Sequence, residues 1–282
     1  MADDLEDDFV PDETTAFSED NEGLLLDDAA YFSEQEEPAP PPAPSSKKRK
    51  RREKEKEKKK RKLVENVDQE VTSVAEQSPG ELASYLSGMQ KKSFPDHSPI
   101  ELSDLEIPDS SIADTTAWTG PRTLDQLVPF ITKILPVLHT RLSQRSKTNG
   151  APTLLFLAGA ALRAADITRV LRDKKLRGDK GGEVAKLFAK HFKLSDQVSY
   201  LKRTKAGTAV GTPGRVGKLL CETDALSVSA LTHIILDVSY TDAKRRNLLD
   251  ITETRDELFK IVLGAPQVLK AIKEGKIQIV LF

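Results

Sequence analysis

Four short runs constrain this chain more than anything else in it. Thr153–Ala158, the segment closing on Ala209-Val210-Gly211, Thr232–Asp237 and Ile277–Phe282 are almost continuously aliphatic or β-branched. A strand wetted on one face alternates apolar and polar residues, whereas a run apolar throughout is covered on both faces, as strands of parallel sheets are. Helical patterns separate the runs, so consecutive strands point the same way and are joined by right-handed crossovers. The expected fold class is α/β, with a mostly parallel sheet covered by helices. The roughly 160 residues from position 121 onward suffice for one such domain.

Within that domain the first pattern is a helix. Thr123 and Gln126 have the spacing of a capping box, and Leu124, Leu127, Val128, Ile131, Ile134, Leu135, Leu138 and Leu142 form one apolar stripe that Pro129 and Pro136 should kink or divide. After the strand Thr153–Ala158 a helix is expected over Ala160–Arg172, then a polar loop over Lys174–Gly182. The spacing of Val184, Leu187, Phe188 and Phe192 predicts a helix over Glu183–Lys193, followed by a short strand at Gln197–Leu201 and the strand that ends at Gly211. A helix from about Arg215, the strand Thr232–Asp237, helices near Thr254–Leu263 and Pro266–Lys273, and a strand Ile277–Phe282 complete it.

Charge divides what precedes the domain. Residues 1–46 hold 15 acidic and no basic side chains, residues 47–62 hold 13 basic and 3 acidic, and the remainder holds 30 basic and 26 acidic. The acidic segment lacks the apolar surface to offset its ordering entropy and is expected to be disordered. The six adjacent cations Lys47, Lys48, Arg49, Lys50, Arg51 and Arg52 suit a nuclear import receptor, and the whole basic tract suits nucleic-acid phosphates. Residues 63–120 are transitional: Val64, Val67, Val71, Val74, Leu82 and Leu86 have partial helical spacing, cut by Pro79, Pro95, Pro99 and Pro108. Leu102, Leu105, Ile107 and Trp118 should pin this extension to the folded domain, with Trp118 packing rather than stacking on a ligand.

Catalytic constellations are missing. The single cysteine, Cys221, precludes an internal disulfide, implies a reducing compartment, and reads as a small hydrophobe in a helix. No stretch of about 18 apolar residues and no apolar N-terminal leader core occurs, so a soluble, non-secreted protein without a membrane partner is expected. His97, His139, His191 and His233 lack metal-ligand spacing and read as surface or helix-packing residues. Gly159, Gly207 and Gly211 make no dinucleotide fingerprint, and Gly217-Lys218 is followed by Leu219 where a magnesium-binding hydroxyl would stand. Asp237 is a lone carboxylate at its strand end, a poor magnesium site. No enzyme activity, cofactor, metal or nucleotide is expected.

Anion binding is different. At Gly211, Thr212, Pro213, Gly214 and Arg215 a strand turns into a helix, so backbone N–H groups and the helix dipole can face a phosphate. Thr212 can cap the helix and Arg215 can add a bidentate contact, while Lys202, Arg203 and Lys205 lie just upstream. An ordinary strand-to-helix turn explains the same spacing.

Thr212-Pro213-Gly214-Arg215 resembles the motif with which the first RecA-like domain of DEAD-box RNA helicases holds an RNA backbone. Leu155–Ala164 is similar to that family's strand and helix reading Leu-Ala-Pro-Thr-Arg-Glu-Leu-Ala, with its Thr and Arg replaced by Ala160 and Ala161. Ile235-Leu236-Asp237 and Ile279-Val280-Leu281-Phe282 follow in the family's order. With Leu187–Leu194 and the acidic and lysine-rich extension, the chain looks most like the CMS-one family of small-subunit ribosome-biogenesis proteins. The resemblance implies a single RecA-like domain over 121–282. It also implies a nuclear, nucleolar location and association with pre-ribosomal RNA or small-subunit precursor proteins, without helicase activity. Thr212, Gly214 and Arg215 become the implied RNA-backbone contacts. An RNA helicase and a protein-only nuclear module are the competing classes.

Overall fold

Each half of the first helical stripe is short because Pro136 has no N–H to donate and stops the first helix at its door. The computed structural model describes residues 73–190 and 192–282. The disorder expected of 1–46, the import and phosphate roles of 47–62, Val64, Val67, Val71 and His191 lie outside the described residues.

In chain order the elements are α1 (Pro79–Ser93), α2 (Pro99–Leu105), α3 (Leu127–Ile134), α4 (Pro136–Leu142), β1 (Leu154–Leu157) and α5 (Ala161–Leu171). Next come α6 (Lys174–Arg177), β2 (Glu183–Leu187), α7 (Leu194–Arg203), β3 (Ala206–Gly211), α8 (Pro213–Cys221) and β4 (His233–Leu236). Last are α9 (Thr252–Glu257), running into a π-helical turn at Leu258–Leu263, then α10 (Pro266–Lys273) and β5 (Gln278–Leu281).

The five strands form one parallel sheet in the order β2-β3-β1-β4-β5. Alternate residues serve two cores. Leu155, Leu157, Ala209, Ile234, Leu236 and Ile279 face one, and Leu154, Phe156, Val210, Ile235, Val280 and Phe282 face the other. Burial on both faces is the physical content of the continuous aliphatic runs. The described residues belong to a single compact unit. Because the connection from β1 leads toward the β2 edge and that from β4 leads to β5, the crevice of the sheet opens at the carboxyl ends of the neighbours β1 and β4.

Several expectations change. Glu183–Leu187 is a strand, not the start of a helix, because its N–H and C=O groups are taken up by pairing with β3. Leu194–Arg203 is a helix, not a strand: Gln197 and Leu201, four apart, are its buried residues. Gln197 is buried because its Nε2 donates to the carbonyls of Lys186 and Phe188 at 2.9 and 3.1 Å, a contact invisible in an apolar pattern. The polar loop after α5 contains the one-turn α6, capped by the Asp173 carboxylate accepting from the Lys175 N–H. No capping bond forms at Thr123, and Gln126 donates to Asp125 instead.

The extension before 121 carries more structure than a linker. Pro79 and Pro99 each open a helix in which a serine, Ser78 or Ser98, donates to a carboxylate three residues on, Glu81 or Glu101. Leu82 and Leu86 of α1 enter the core, and Ile112 makes a parallel bridge to Ile279 beyond the β5 edge. Trp118 packs edge-on against Phe130 with centroids 5.6 Å apart. Cys221, at the end of α8, is exposed rather than a buried hydrophobe, and His233 is a buried strand residue rather than a surface one.

Candidate nucleic-acid interface

The turn from β3 into α8 has the expected backbone path and an unexpected set of neighbours. Thr212 is the N-cap residue in extended conformation, with φ −95° and ψ 147°, but its side chain makes no capping bond. Pro213 occupies the first helical position, where a missing N–H is harmless. Gly211 is needed because any Cβ there would overlap the Leu187 carbonyl oxygen of the paired strand. A Cβ on Gly214 would overlap the Glu257 carboxylate, so a side chain from α9 already lies against the amino end of α8. Negative charge is favoured at a helix amino terminus, and here the chain supplies part of it itself.

Arg215 is committed in the same way. Its Nη1 donates to Gln197 Oε1 at 2.9 Å and its Nη2 to the Phe192 carbonyl at 3.1 Å. Through Gln197 it fastens the loop after β2 to both α7 and α8. That loop carries exposed Lys190 and Lys193.

Lys202, Arg203 and Lys205 do not join this turn. They precede β3 and Gly211 ends it, and six strand residues at about 3.3 Å each put the two groups roughly 20 Å apart at opposite ends of the sheet. Lys202 pairs with Asp224 at 2.8 Å, and Arg203 Nε donates to the Ser199 carbonyl at 3.2 Å.

At the crevice, Asp237 follows β4 with its side chain fully buried. Arg163 of α5 meets it with two bonds, Nε to Oδ2 at 2.8 Å and Nη2 to Oδ1 at 3.1 Å. Burial pushes the Asp237 carboxyl above its ordinary range, with Arg163 pulling the other way. The exposed ring of Tyr240 lies 4.6 Å from the guanidinium carbon. Beside it, buried Arg122 covers the end of β5, donating from Nη1 to the Leu281 carbonyl at 2.9 Å and from Nη2 to Thr115 Oγ1 at 2.9 Å. Two arginines thus occupy the strand ends where a nucleotide-binding α/β sheet presents phosphate and metal ligands. Among the described residues no three His, Cys, Asp or Glu side chains gather as around a metal ion.

A family model described as "U3-containing 90S pre-ribosomal complex subunit" matches residues 33–282. The chain belongs to the CMS1 family. Protein CMS1 of Chaetomium thermophilum is 42% identical over 184 residues, 65% of this chain and 71% of that protein. Protein cms1 of Schizosaccharomyces pombe is 34% identical over 218 residues, 77% of this chain and 74% of that one. Human Protein CMSS1 is 32% identical over 163 residues, 58% of this chain and about half, 54%, of the human protein. Similar solved structures include Saccharomyces cerevisiae Dbp5 bound to RNA and ADP BeF3, at TM-score 0.40 and 17% identity, covering 76% of this chain and 45% of that one. A DEAD box protein from Methanococcus jannaschii gives TM-score 0.36 and 19% identity, covering 57% of this chain and 37% of that one.

In this CMS1-family chain Tyr240 and Arg122, which flank the crevice, carry no motif in sequence, and Arg163, though inside Leu155–Ala164, does not match a charged position of the motif which that segment resembles. Arg163 follows the strand β1 by six residues and reads as one more helix-surface arginine; only the fold brings it 74 positions along to Asp237. Glu257, against Gly214, is equally silent. No helix among the described residues of this CMS1-family chain is long and apolar enough to cross a membrane.

Proposed function

We propose that this chain is a non-catalytic nucleolar assembly factor of the early small-subunit precursor, which binds pre-ribosomal RNA, precursor proteins or both. Membership of a family described as a subunit of the 90S pre-ribosomal complex supports the assembly role. The observation that carries the non-catalytic part is the Arg163–Asp237 pair. Asp237, the carboxylate that follows β4, is buried and bidentately paired with Arg163, so holding magnesium there would require breaking an ion pair already formed. The RNA-backbone role of Gly211, Thr212, Gly214 and Arg215 is kept in altered form. Thr212 offers a hydroxyl and Gly214 a backbone N–H, while Arg215 chiefly positions the loop bearing Lys190 and Lys193. The basic tract 47–62 adds sequence-tolerant attraction.

The test is nucleotide. A ligand that binds the folded state raises its melting temperature. ATP with magnesium is expected to leave the melting temperature of the full chain unchanged, and the chain is expected to sediment with small-subunit precursor particles. A clear rise accompanied by RNA-stimulated ATP hydrolysis would overturn the non-catalytic reading.

A further inference from the structure

We propose that the amino end of the sheet, opposite the β3–α8 turn, is a binding surface for the phosphate backbone of RNA. This rests on the RNA-binding part of the function proposed above and adds a second surface to it. Segments 141–147, 172–183 and 202–205 contain eleven lysines and arginines against three acidic residues, Asp173, Asp179 and Glu183. The fold collects them. The Gly150 N–H donates to the Thr204 carbonyl at 3.0 Å, Asn149 Nδ2 to the Lys202 carbonyl at 2.9 Å, and the Glu183 N–H to the Lys205 carbonyl at 3.1 Å. Gly181 and Gly182 let the loops touch: a Cβ on the first would overlap the Arg177 and Leu142 carbonyls, and on the second the Gly207 backbone.

Between the segments lies an open cleft of about 520 Å³ lined by Arg145, Arg177, Asp179, Lys180, Gly181 and Glu183. Arg177 is partly neutralised by Glu183 at 3.6 Å. Among the described residues Arg145, Lys180, Arg203 and Lys205 form no ion pair. The positive field reaches neighbouring groups: Arg172 and Arg169 help burial hold the Lys186 ammonium below its ordinary pKa, and Arg141 does the same to His233.

A structural explanation accounts for some of these charges, since α4, α5 and α7 all end here and cations suit helix carboxyl termini. It does not reach Arg145, Lys147 or Lys180, which lie in loops beyond the last turns. Protein interfaces have apolar and aromatic centres depleted in lysine, and no apolar side chain lines this cleft. Repeated phosphates, whose counterions are released by clustered cations, match it better.

The experiment uses the full chain and polyuridylate RNA. The variant Arg145→Glu/Lys180→Glu/Arg203→Glu is compared with Lys91→Glu/Lys218→Glu/Lys244→Glu, which reverses as many exposed cations on α1, on α8 and beyond the carboxyl end of β4. The first is expected to bind about tenfold more weakly, with a salt slope smaller by about two, as three lost contacts to a single strand predict; the second should bind like the parent. Ultraviolet crosslinking to the parent should place RNA on peptides from the three segments. If the parent binds and the first variant binds equally, or if crosslinks map only elsewhere, the surface is refuted while RNA binding stands. If the parent does not bind RNA, the RNA reading itself fails and the surface with it. Should the first variant not fold, the crosslink map of the parent decides alone.

Discussion

At the scale of single residues, a buried carboxylate survives only with a counter-charge, and Arg163 is the one that Asp237 has. Replacing Arg163 by methionine should cost about 3–5 kcal/mol, because it leaves an uncompensated charge in the core. Adding Asp237→Asn should recover part of that loss, and denaturant titration of the four forms measures the coupling. Equal stability of Arg163→Met and parent would mean the pair contributes nothing. His233 makes a second prediction. Burial, aided by Arg141, lowers its pKa from 6.5 to about 4. The unfolded chain therefore takes up a proton as pH falls below 6.5, while the folded chain does so only near 4, so its contribution is full above 6.5 and lost between those values. The loss is of order 3 kcal/mol. His233→Gln should flatten the stability profile relative to parent across that window. Asp237, shifted upward, has the opposite slope, so the difference between the two proteins isolates the histidine.

At the scale of elements, Arg215 joins α8 to α7 and to the loop after β2. Arg215→Ala leaves Gln197 Oε1 and the Phe192 carbonyl without their donor. A loss of about 1–3 kcal/mol follows, the usual cost of an unsatisfied buried group. Chemical denaturation measures it, and hydrogen exchange should show faster exchange in 188–193 than in β1. If instead stability is unchanged and only RNA affinity falls, the arginine is a ligand contact and its internal bonds are incidental. Gly217 acts at the same level: a Cβ there would overlap Ile261, so this glycine sets how closely α8 meets the π-helical turn, whereas a Cβ on Gly214 would displace only the tip of the Glu257 side chain.

At the scale of the whole molecule, the two ends of the sheet differ. Arg163 and Arg122 sit at the carboxyl ends of β4 and β5, and loop cations line a cleft before the amino end of β2. Nuclear import is expected of a segment outside the described residues. Alanine at Lys47, Lys48, Arg49, Lys50, Arg51 and Arg52 should leave the melting temperature unchanged and move a fluorescently tagged chain to the cytoplasm. An unaltered nucleolar signal would assign entry to another segment or to a partner.

The parallel sheet, four of its strands, the division at Pro136 and the helix Pro266–Lys273 were legible in sequence, because burial on both faces and a missing N–H act through local residue type. The turn Gly211–Arg215 was legible for the same reason. The fifth strand and α7 were not: Glu183–Leu187 fits helical spacing as well as strand burial, and only pairing with β3 chose between them. The contacts of the site were decided later still. Whether Arg215 faces solvent or Gln197, whether Asp237 holds a cation or Arg163, and whether Lys202–Lys205 joins the turn or lies a strand's length away depend on contacts between residues up to 74 positions apart. Residue type states what a side chain can bind, but only the packed chain states which partner reaches it first.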